Sequence, residues 1–468
     1  MGMLILGDYL NVLLIDPGKV FLEKKTGIPK VYPHIGLAYI AACLLKENFD
    51  VKIIDMPAYS IEANQLKDIF KTSKPDVVGI TAVTFLAPDA YAVATLVKEA
   101  SPETTVVLGG AHATALHVEV LKECNALDIA VRGEGEYPMM EIARFKEEGN
   151  LAKKLQAIDG ISYRRGKRIF VNNSRRPIEN LDTLPFPRWD LFDYSKFKKV
   201  YSEKFQDEIA LYQIAGSRGC PYQCTFCFPL HGREFRFRSP ENVISEIETN
   251  HNNLGAKHFD FTDSTATVNR KRFIRICKLL MDTGLAKKVS WNVETRVDLV
   301  DKELLRITKK AGCELILFGL ESADPLVLKS MKKNTSPMAV EKAVKESVKI
   351  GLKPKISVIM GHPFETISQA FRTFEFVKRL KKNYGIAVSY NIIDVYPGTE
   401  LYAMVTQGKG GARWIEGAKD NWKMYDRTRA KIEVNNLTQD KIVQLYQRFV
   451  MELNQIPSLD FYKVSKER

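Results

Sequence analysis

The 468-residue sequence predicts an α/β protein made of two successive series of alternating strands and helices. Three observations predict it. Short, β-branched, nearly all-apolar runs recur along the chain, as expected of parallel strands covered on both faces. Helical patterns fill the intervals between them. A proline-bearing stretch, with Pro177, Pro185 and Pro187, separates the two series and cannot itself be helical. With 45% hydrophobic residues the chain can build two or three cored domains. We set the boundaries at 1–150, 151–205 (a linker with a hairpin), 206–402 and 403–468 (a small helical C-terminal cap).

In the first series, strands are expected at Asn11–Asp16, Val51–Asp55, Asp76–Thr81, Thr104–Leu108 and Asp128–Val131. Helices are expected at Ile35–Glu47, Ile61–Thr72, Ala87–Ala100 and Ala113–Glu123. Such alternation predicts a doubly wound, Rossmann-like sheet that binds ligands at the carboxyl ends of its strands. Those ends hold Thr81-Ala82-Val83-Thr84, Gly109-Gly110-Ala111-His112 and Gly133-Glu134-Gly135-Glu136. Paired glycines let the backbone approach a bulky ligand, and a following helix N-terminus favours a phosphate. His34 and His112 read as packed or hydrogen-bonded loop residues. In the connector, Gly160–Tyr163 and Arg168–Val171 flank Arg164-Arg165-Gly166-Lys167 as a hairpin.

The second series opens on the apolar run Ile209–Ala215, which leads into Gly216-Ser217-Arg218-Gly219-Cys220-Pro221-Tyr222-Gln223-Cys224-Thr225-Phe226-Cys227. Thiolates are soft ligands suited to iron–sulfur clusters, and a [4Fe–4S] cube normally takes four. Three cysteines at C-x3-C-x2-C spacing would leave one iron open. A zinc ion is the other reading; it needs a fourth ligand, for which His231 is nearest. Further strands are expected at His258–Thr262, Ser290–Glu294, Leu315–Leu320, Lys355–Met360 and Ala387–Val395, with helices such as Pro240–Asn252, Lys271–Asp282, Lys302–Ala311 and Ser368–Lys382. Trp414, Trp422, Tyr425 and an amphipathic helix over about 438–454 form the cap, which we expect to close over the second series and contact substrate.

The cysteine loop, with an aromatic just before its last cysteine, resembles that of the radical S-adenosylmethionine (SAM) enzymes. The resemblance implies that the open iron is chelated by the amino and carboxylate groups of SAM, and that the reduced cluster cleaves SAM to a 5′-deoxyadenosyl radical. It also implies that the six strands form a partial, TIM-like (β/α)6 barrel with its chemistry at the carboxyl-terminal mouth. There Phe226 would lie near adenine. Thr262-Asp263-Ser264 stands where the family often has a Gly-Gly-Glu stretch, which is not literal here. Arg296 suits the SAM carboxylate, Glu321 and Ser322 fall where ribose or methionine is contacted, and Gly361 and Tyr396 complete the ring. The first half is similar to the cobalamin-binding domain that precedes the barrel in a large subfamily, through Pro33–Ala41, Leu108–His112 and Val131–Glu136. That resemblance implies cobalamin held by Thr81, Ala82, Val83, Thr84, Gly109, Gly110, His112, Gly133, Glu134 and Glu136. The classical loop after the first strand brings a histidine to cobalt. Here it reads Asp16-Pro17-Gly18-Lys19-Val20-Phe21, so cobalamin would have no histidine below it, or the domain would be degenerate.

The formal charge of +13 comes from lysines scattered along helices, with no basic tract interleaved with aromatics, so a nucleic-acid partner is not favoured. The sequence shows no membrane span, and Met1–Asp8 shows no signal peptide. Seven cysteines, three in the loop and the others in apolar patterns, argue for a reducing cytoplasm, and an oxygen-labile cluster for an anaerobic or protected one. The expected activity is a cobalamin-dependent radical SAM methylation of carbon in a small-molecule substrate, fed by an external flavodoxin- or ferredoxin-type electron donor. The alternative is a cyclisation or hydroxylation, since Thr267–Phe273 and Asn292–Val297 look similar to the anaerobic magnesium-protoporphyrin cyclase branch. A sensor without turnover and a zinc-binding nucleic-acid module are the remaining readings.

Overall fold

The computed structural model describes residues 10–18, 33–197, 211–425 and 429–458. It divides into two compact units, Met1–Tyr201 and Ser202–Arg468. The readings made for Met1–Asp8, Lys19–Phe21, Ile209–Ala210 and the chain beyond residue 458 lie outside the described residues.

In the first unit, β1 (Asn11–Asp16), β2 (Asp50–Asp55), β3 (Val77–Thr81), β4 (Thr105–Gly109) and β5 (Ile129–Val131) are parallel. With β6 (Ile161–Arg165) and β7 (Arg168–Val171) they make one sheet in the order β2-β1-β3-β4-β5-β6-β7. The chain runs from β1 outward to β2 and then back across to β3. This puts the topological switch point, where such sheets bind ligands, between β1 and β3. All five residues of β3 are buried, as a central strand between two helical layers requires.

Two expectations change here. The hairpin read as part of the connector pairs antiparallel with β5, Ile129 opposite Tyr163, and covers an edge that three-residue β5 would otherwise leave open. The helix expected over Ala113–Glu123 is two short ones, Ala111–Ala115 and Glu119–Glu123; between them His117 pairs with Ser162 of β6 at 2.8 Å.

In the second unit, β8 (Leu211–Ile214) is followed by a two-stranded ribbon of β9 (Ser217–Arg218) and β10 (Arg236–Phe237). Then come β11 (His258–Phe261), β12 (Ser290–Thr295), β13 (Cys313–Glu321), β14 (Lys353–Met360) and β15 (Ala387–Ile392). The six-stranded parallel sheet runs β8-β11-β12-β13-β14-β15, each strand beside the next in sequence, which is the winding of an open (β/α) barrel. Helices cover one face only, and burial along β14 accordingly alternates residue by residue. Side chains of Ser239, Asn269, Asp301, Ser336 and Thr366 cap the N-termini of the outer helices, each accepting a backbone N–H three residues on.

The C-terminal stretch is not wholly helical as expected. β16 (Ala412–Trp414) and β17 (Ile432–Val434) pair antiparallel. Helix Gln439–Asn454 joins the outer layer: Phe449 stacks on Phe374 at 4.1 Å between ring centroids and meets Tyr390 of β15 edge-on. An apolar stripe of that size is stabilised by burial against the strand rather than over the mouth. Among the described residues no helix is long and apolar enough to cross a membrane.

Candidate functional site: the cysteine loop and two strand-end surfaces

The loop leaves β8 through Gly216, which a buried network grips. Asp263 accepts from Gly216 N at 2.9 Å and from the Ser217 hydroxyl. Arg272 donates to Gly216 O and to Arg238 O, both at 2.7 Å, and Arg238 pairs with buried Glu246. Burial pushes the Asp263 carboxyl up while Arg272 opposes it. Gly219 has φ +83, and a Cβ there would overlap Glu234 O, so only glycine lets the loop pass the ribbon. Cys220 is half-buried, Cys224 buried and Cys227 exposed, and Cys227 N donates to Cys224 O at 3.2 Å in a turn that carries both.

Cations surround this loop. Burial raises the Cys224 thiol, and Lys333 and Arg296 pull it back down. Lys333 sits 3.0 Å from Glu321; burial alone would lower it, but Glu321 and Cys224 hold it above its usual value. Glu321, at φ +63, also accepts from Ser357 at 3.1 Å. Gly319 leaves the room that this ion pair occupies, since a Cβ there would meet both side chains. Arg296 lies 3.9 Å over the Tyr222 ring, forks onto Asp298 at 2.9 and 3.0 Å, and donates to Lys333 O at 2.8 Å.

The expected SAM residues therefore divide. Phe226, Thr262, Ser264, Arg296, Glu321, Gly361 and Tyr396 lie on the loop or at the carboxyl ends of the barrel strands, and Tyr396 donates to Asp394 at 2.9 Å. Asp263 and Ser322 are turned inward. Asp263 clamps the loop base, and fully buried Ser322 bonds Thr373 and caps Asp324 N. The sequence reading missed Thr225, Lys333 and His362. Lys333 carried no local signal, whereas Thr225 stands between two of the cysteines and His362 directly follows β14.

Among the described residues no three His, Cys, Asp or Glu side chains converge as ligands of a single ion do. A cube gives each thiolate its own iron and sets its ligands farther apart. Three soft donors on one glycine-hinged loop, with two cations to offset thiolate charge, fit such a cluster.

In the first unit, the loops after β3 and β4 touch: a Cβ on Gly110, at φ +92, would lie 2.6 Å from Ala82 O. At Gly109 and Gly133 the same atom would meet nothing within 4 Å. That backbone faces open space at the carboxyl ends of β4 and β5, and it fits a broad flat ligand such as cobalamin. Thr81 stands 3.5 Å from His34 Nε2, while Ala82 donates its N–H to Gly109 O. Val83 and Thr84 begin the short turn that follows β3. Glu134 accepts from Ile178 N at 2.7 Å and Glu136 opens its helix buried. His112 is buried against the Tyr91 hydroxyl, 3.2 Å away, and burial lowers it to about 4, as a packed neutral ring. Asp16 turns back to Gly18 N.

Residues 214–377 match the Radical SAM superfamily and residues 27–143 the B12 binding domain. The uncharacterized methyltransferase PH0819 of Pyrococcus horikoshii is 32% identical over 93% of this chain and 90% of its own length. The anaerobic magnesium-protoporphyrin IX monomethyl ester cyclase of Rubrivivax gelatinosus is 30% identical over 79% of this chain and 66% of its own length. In fold, the chain is similar to the radical SAM methyltransferase TsrM from Kitasatospora setae, whose structure holds cobalamin and a [4Fe-4S] cluster. There the TM-score is 0.74 at 16% identity, over 96% of this chain and 89% of that one.

Proposed function

Because the chain belongs to the radical SAM superfamily and carries a B12 binding domain, we propose that it methylates an unactivated carbon of a small molecule, with cobalamin as the methyl carrier. The observation that carries this is the pairing, in one chain, of a three-cysteine loop at a barrel mouth with a glycine-opened edge at the carboxyl ends of β4 and β5. The P. horikoshii relative, matched over nearly its whole length, is named a methyltransferase, and so is the structural neighbour. When bound, the cluster and SAM supply a hydrogen-abstracting radical, and cobalamin supplies the methyl group.

The protein's own part is to position, to hold charge and to exclude water. Cys220, Cys224 and Cys227 hold the cluster and leave one iron for SAM. Lys333 offsets thiolate charge beside Cys224. Phe226 lies near adenine, Thr262 and Ser264 near the methionine end, and Gly361 and Tyr396 on the rim. The Arg296 fork is taken by Asp298, so Arg296 acts on SAM through its charge and its hold on Tyr222. Asp263 and Ser322 shape the loops around SAM. Backbone at Gly109, Gly110 and Gly133 lies against cobalamin, flanked by Thr81–Thr84, while His112, Glu134 and Glu136 shape those loops. Electrons come from a flavodoxin- or ferredoxin-type donor, and the setting is cytoplasmic and poor in oxygen.

The test is anaerobically reconstituted protein with cobalamin, SAM, reductant and candidate substrates, followed by mass spectrometry. A methylase yields 5′-deoxyadenosine and S-adenosylhomocysteine together with a product heavier by one CH2. A product of any other mass change, with no S-adenosylhomocysteine, favours the second reading, an oxidative cyclisation or hydroxylation. The cyclase relative, 30% identical over 79% of the chain, is the observation behind that reading. No bound cobalamin would remove the role given to the first unit.

A further inference from the structure

Thr225, between the second and third cysteines, is buried at 1% exposure and held at each of its polar atoms. Its N–H donates to Met331 O at 3.0 Å and its carbonyl accepts from Leu401 N at 2.8 Å. Its hydroxyl stands 3.2 Å from His362 Nε2. Those partners follow β13, β15 and β14, so one residue ties the loop to three barrel strands.

His362 is fully buried, and its ring orientation is set from the far side. Nδ1 lies 2.8 Å from Pro363 O, which can only accept, and 3.2 Å from Ser330 Oγ, whose own hydrogen goes to Val327 O at 2.8 Å. Nδ1 therefore carries the hydrogen and Nε2 accepts from Thr225. Burial keeps the ring neutral, as an acceptor must be. The Cys224–Cys227 turn closes around Thr225, so the Thr225 side chain sets how that turn presents its two thiolates.

We propose that the Thr225–His362 hydrogen bond is a latch that holds the cysteine loop in its cluster-binding shape, with His362 a positioning residue acting through Thr225. The inference rests on the reading that this loop holds a cluster.

The test compares the parent protein with Thr225→Val, Thr225→Ser, His362→Ala, His362→Gln and the Thr225→Val/His362→Ala double variant. Each is reconstituted without oxygen and measured for iron, sulfide and loss of visible cluster absorbance under an iron chelator. Breaking the latch leaves a buried partner unpaired, so Thr225→Val and His362→Ala should lose the cluster about tenfold faster or more. Thr225→Ser keeps the donor and His362→Gln restores an acceptor, so both should stay within about threefold of the parent. The double variant should be no faster than the worse single one. Thr225→Val keeps the side-chain shape, so the test stands even where His362→Ala does not fold. Parent-like rates in Thr225→Val would overturn the latch, and so would Thr225→Ser losing the cluster as fast as Thr225→Val. A parent protein without iron and sulfide would instead bring down the cluster reading itself, and that shortfall is visible before any variant is made.

Discussion

The two large sheets, one with an antiparallel hairpin at its edge and one wholly parallel, present themselves to ligands in opposite ways. In β3 every residue is buried, and Gly79 packs so closely that a Cβ would lie 2.9 Å from Leu14 and 3.2 Å from Met139. In β14 burial alternates, with Lys353, Lys355, Ser357 and Ile359 on the face that helices leave uncovered. The same face carries Asp260 and Asn292, paired in register on β11 and β12, and Ser357 and Ser389, paired on β14 and β15. A sheet covered on both faces can bind only at its edge, where backbone and glycines do the recognising. A sheet covered on one face offers side chains along its whole length. The first unit thus suits a cofactor of fixed shape, and the second suits chemistry that must be tailored to a substrate.

The largest expected effect that sharpens this contrast is an aspartate placed in each sheet. Val78→Asp buries an unpaired charge between two helical layers and should cost about 4 kcal/mol or more, unfolding the first unit. Ser389→Asp, on the open face of β15, should cost about 1 kcal/mol or less. Limited proteolysis with denaturant titration reads both, and equal tolerance at the two sites would break the comparison.

Next in size is the glycine edge. Gly110→Val forces a branched side chain into a left-handed backbone against Ala82 O and should cost about 3 kcal/mol and abolish cobalamin binding, leaving iron content unchanged. Gly133→Ala shares the positive φ (+73) but meets no atom, so about 1 kcal/mol is expected. Cobalamin absorbance and unfolding midpoints separate the two.

The smallest effect concerns Asp260, which lies on the helix-free face yet is itself largely closed off from water. Burial, then the nearby Glu294 carboxylate, pushes Asp260 from 3.8 up to about 7, against Lys355. A carboxyl whose folded value is raised stabilises the fold while protonated, and that contribution is lost as pH rises through about 7. Between pH 5 and 8 the wild type should lose about 2 kcal/mol relative to Asp260→Asn. Fluorescence of the buried Trp291 during urea unfolding would register it, and parallel pH profiles for the two proteins would refute it.

Much of this was legible in the chain. The strands appear within a residue or two of their expected ends, save β15, which stops at Ile392 rather than Val395, because each is a short apolar run set by local composition. The cysteine loop and the Gly109-Gly110 edge were legible because their chemistry is carried by residues adjacent in sequence. The partners of Asp263 and Ser322 were hidden for the opposite reason: Gly216 and Thr373 lie 47 and 51 residues away. The hairpin's place on β5 and the outward packing of helix Gln439–Asn454 were hidden in the same way.

What the sequence by itself determined is the order of the elements, the three thiolates and their spacing, and the glycines that open one sheet edge. Only the tertiary structure decided which polar side chains are spent holding loops and which remain for ligands. It set Lys333 beside Cys224 and His362 beneath Thr225. The physical reason is that a local pattern records how a segment meets water or core. The partner of a buried polar group is chosen by how distant segments pack, and no short window of sequence contains that.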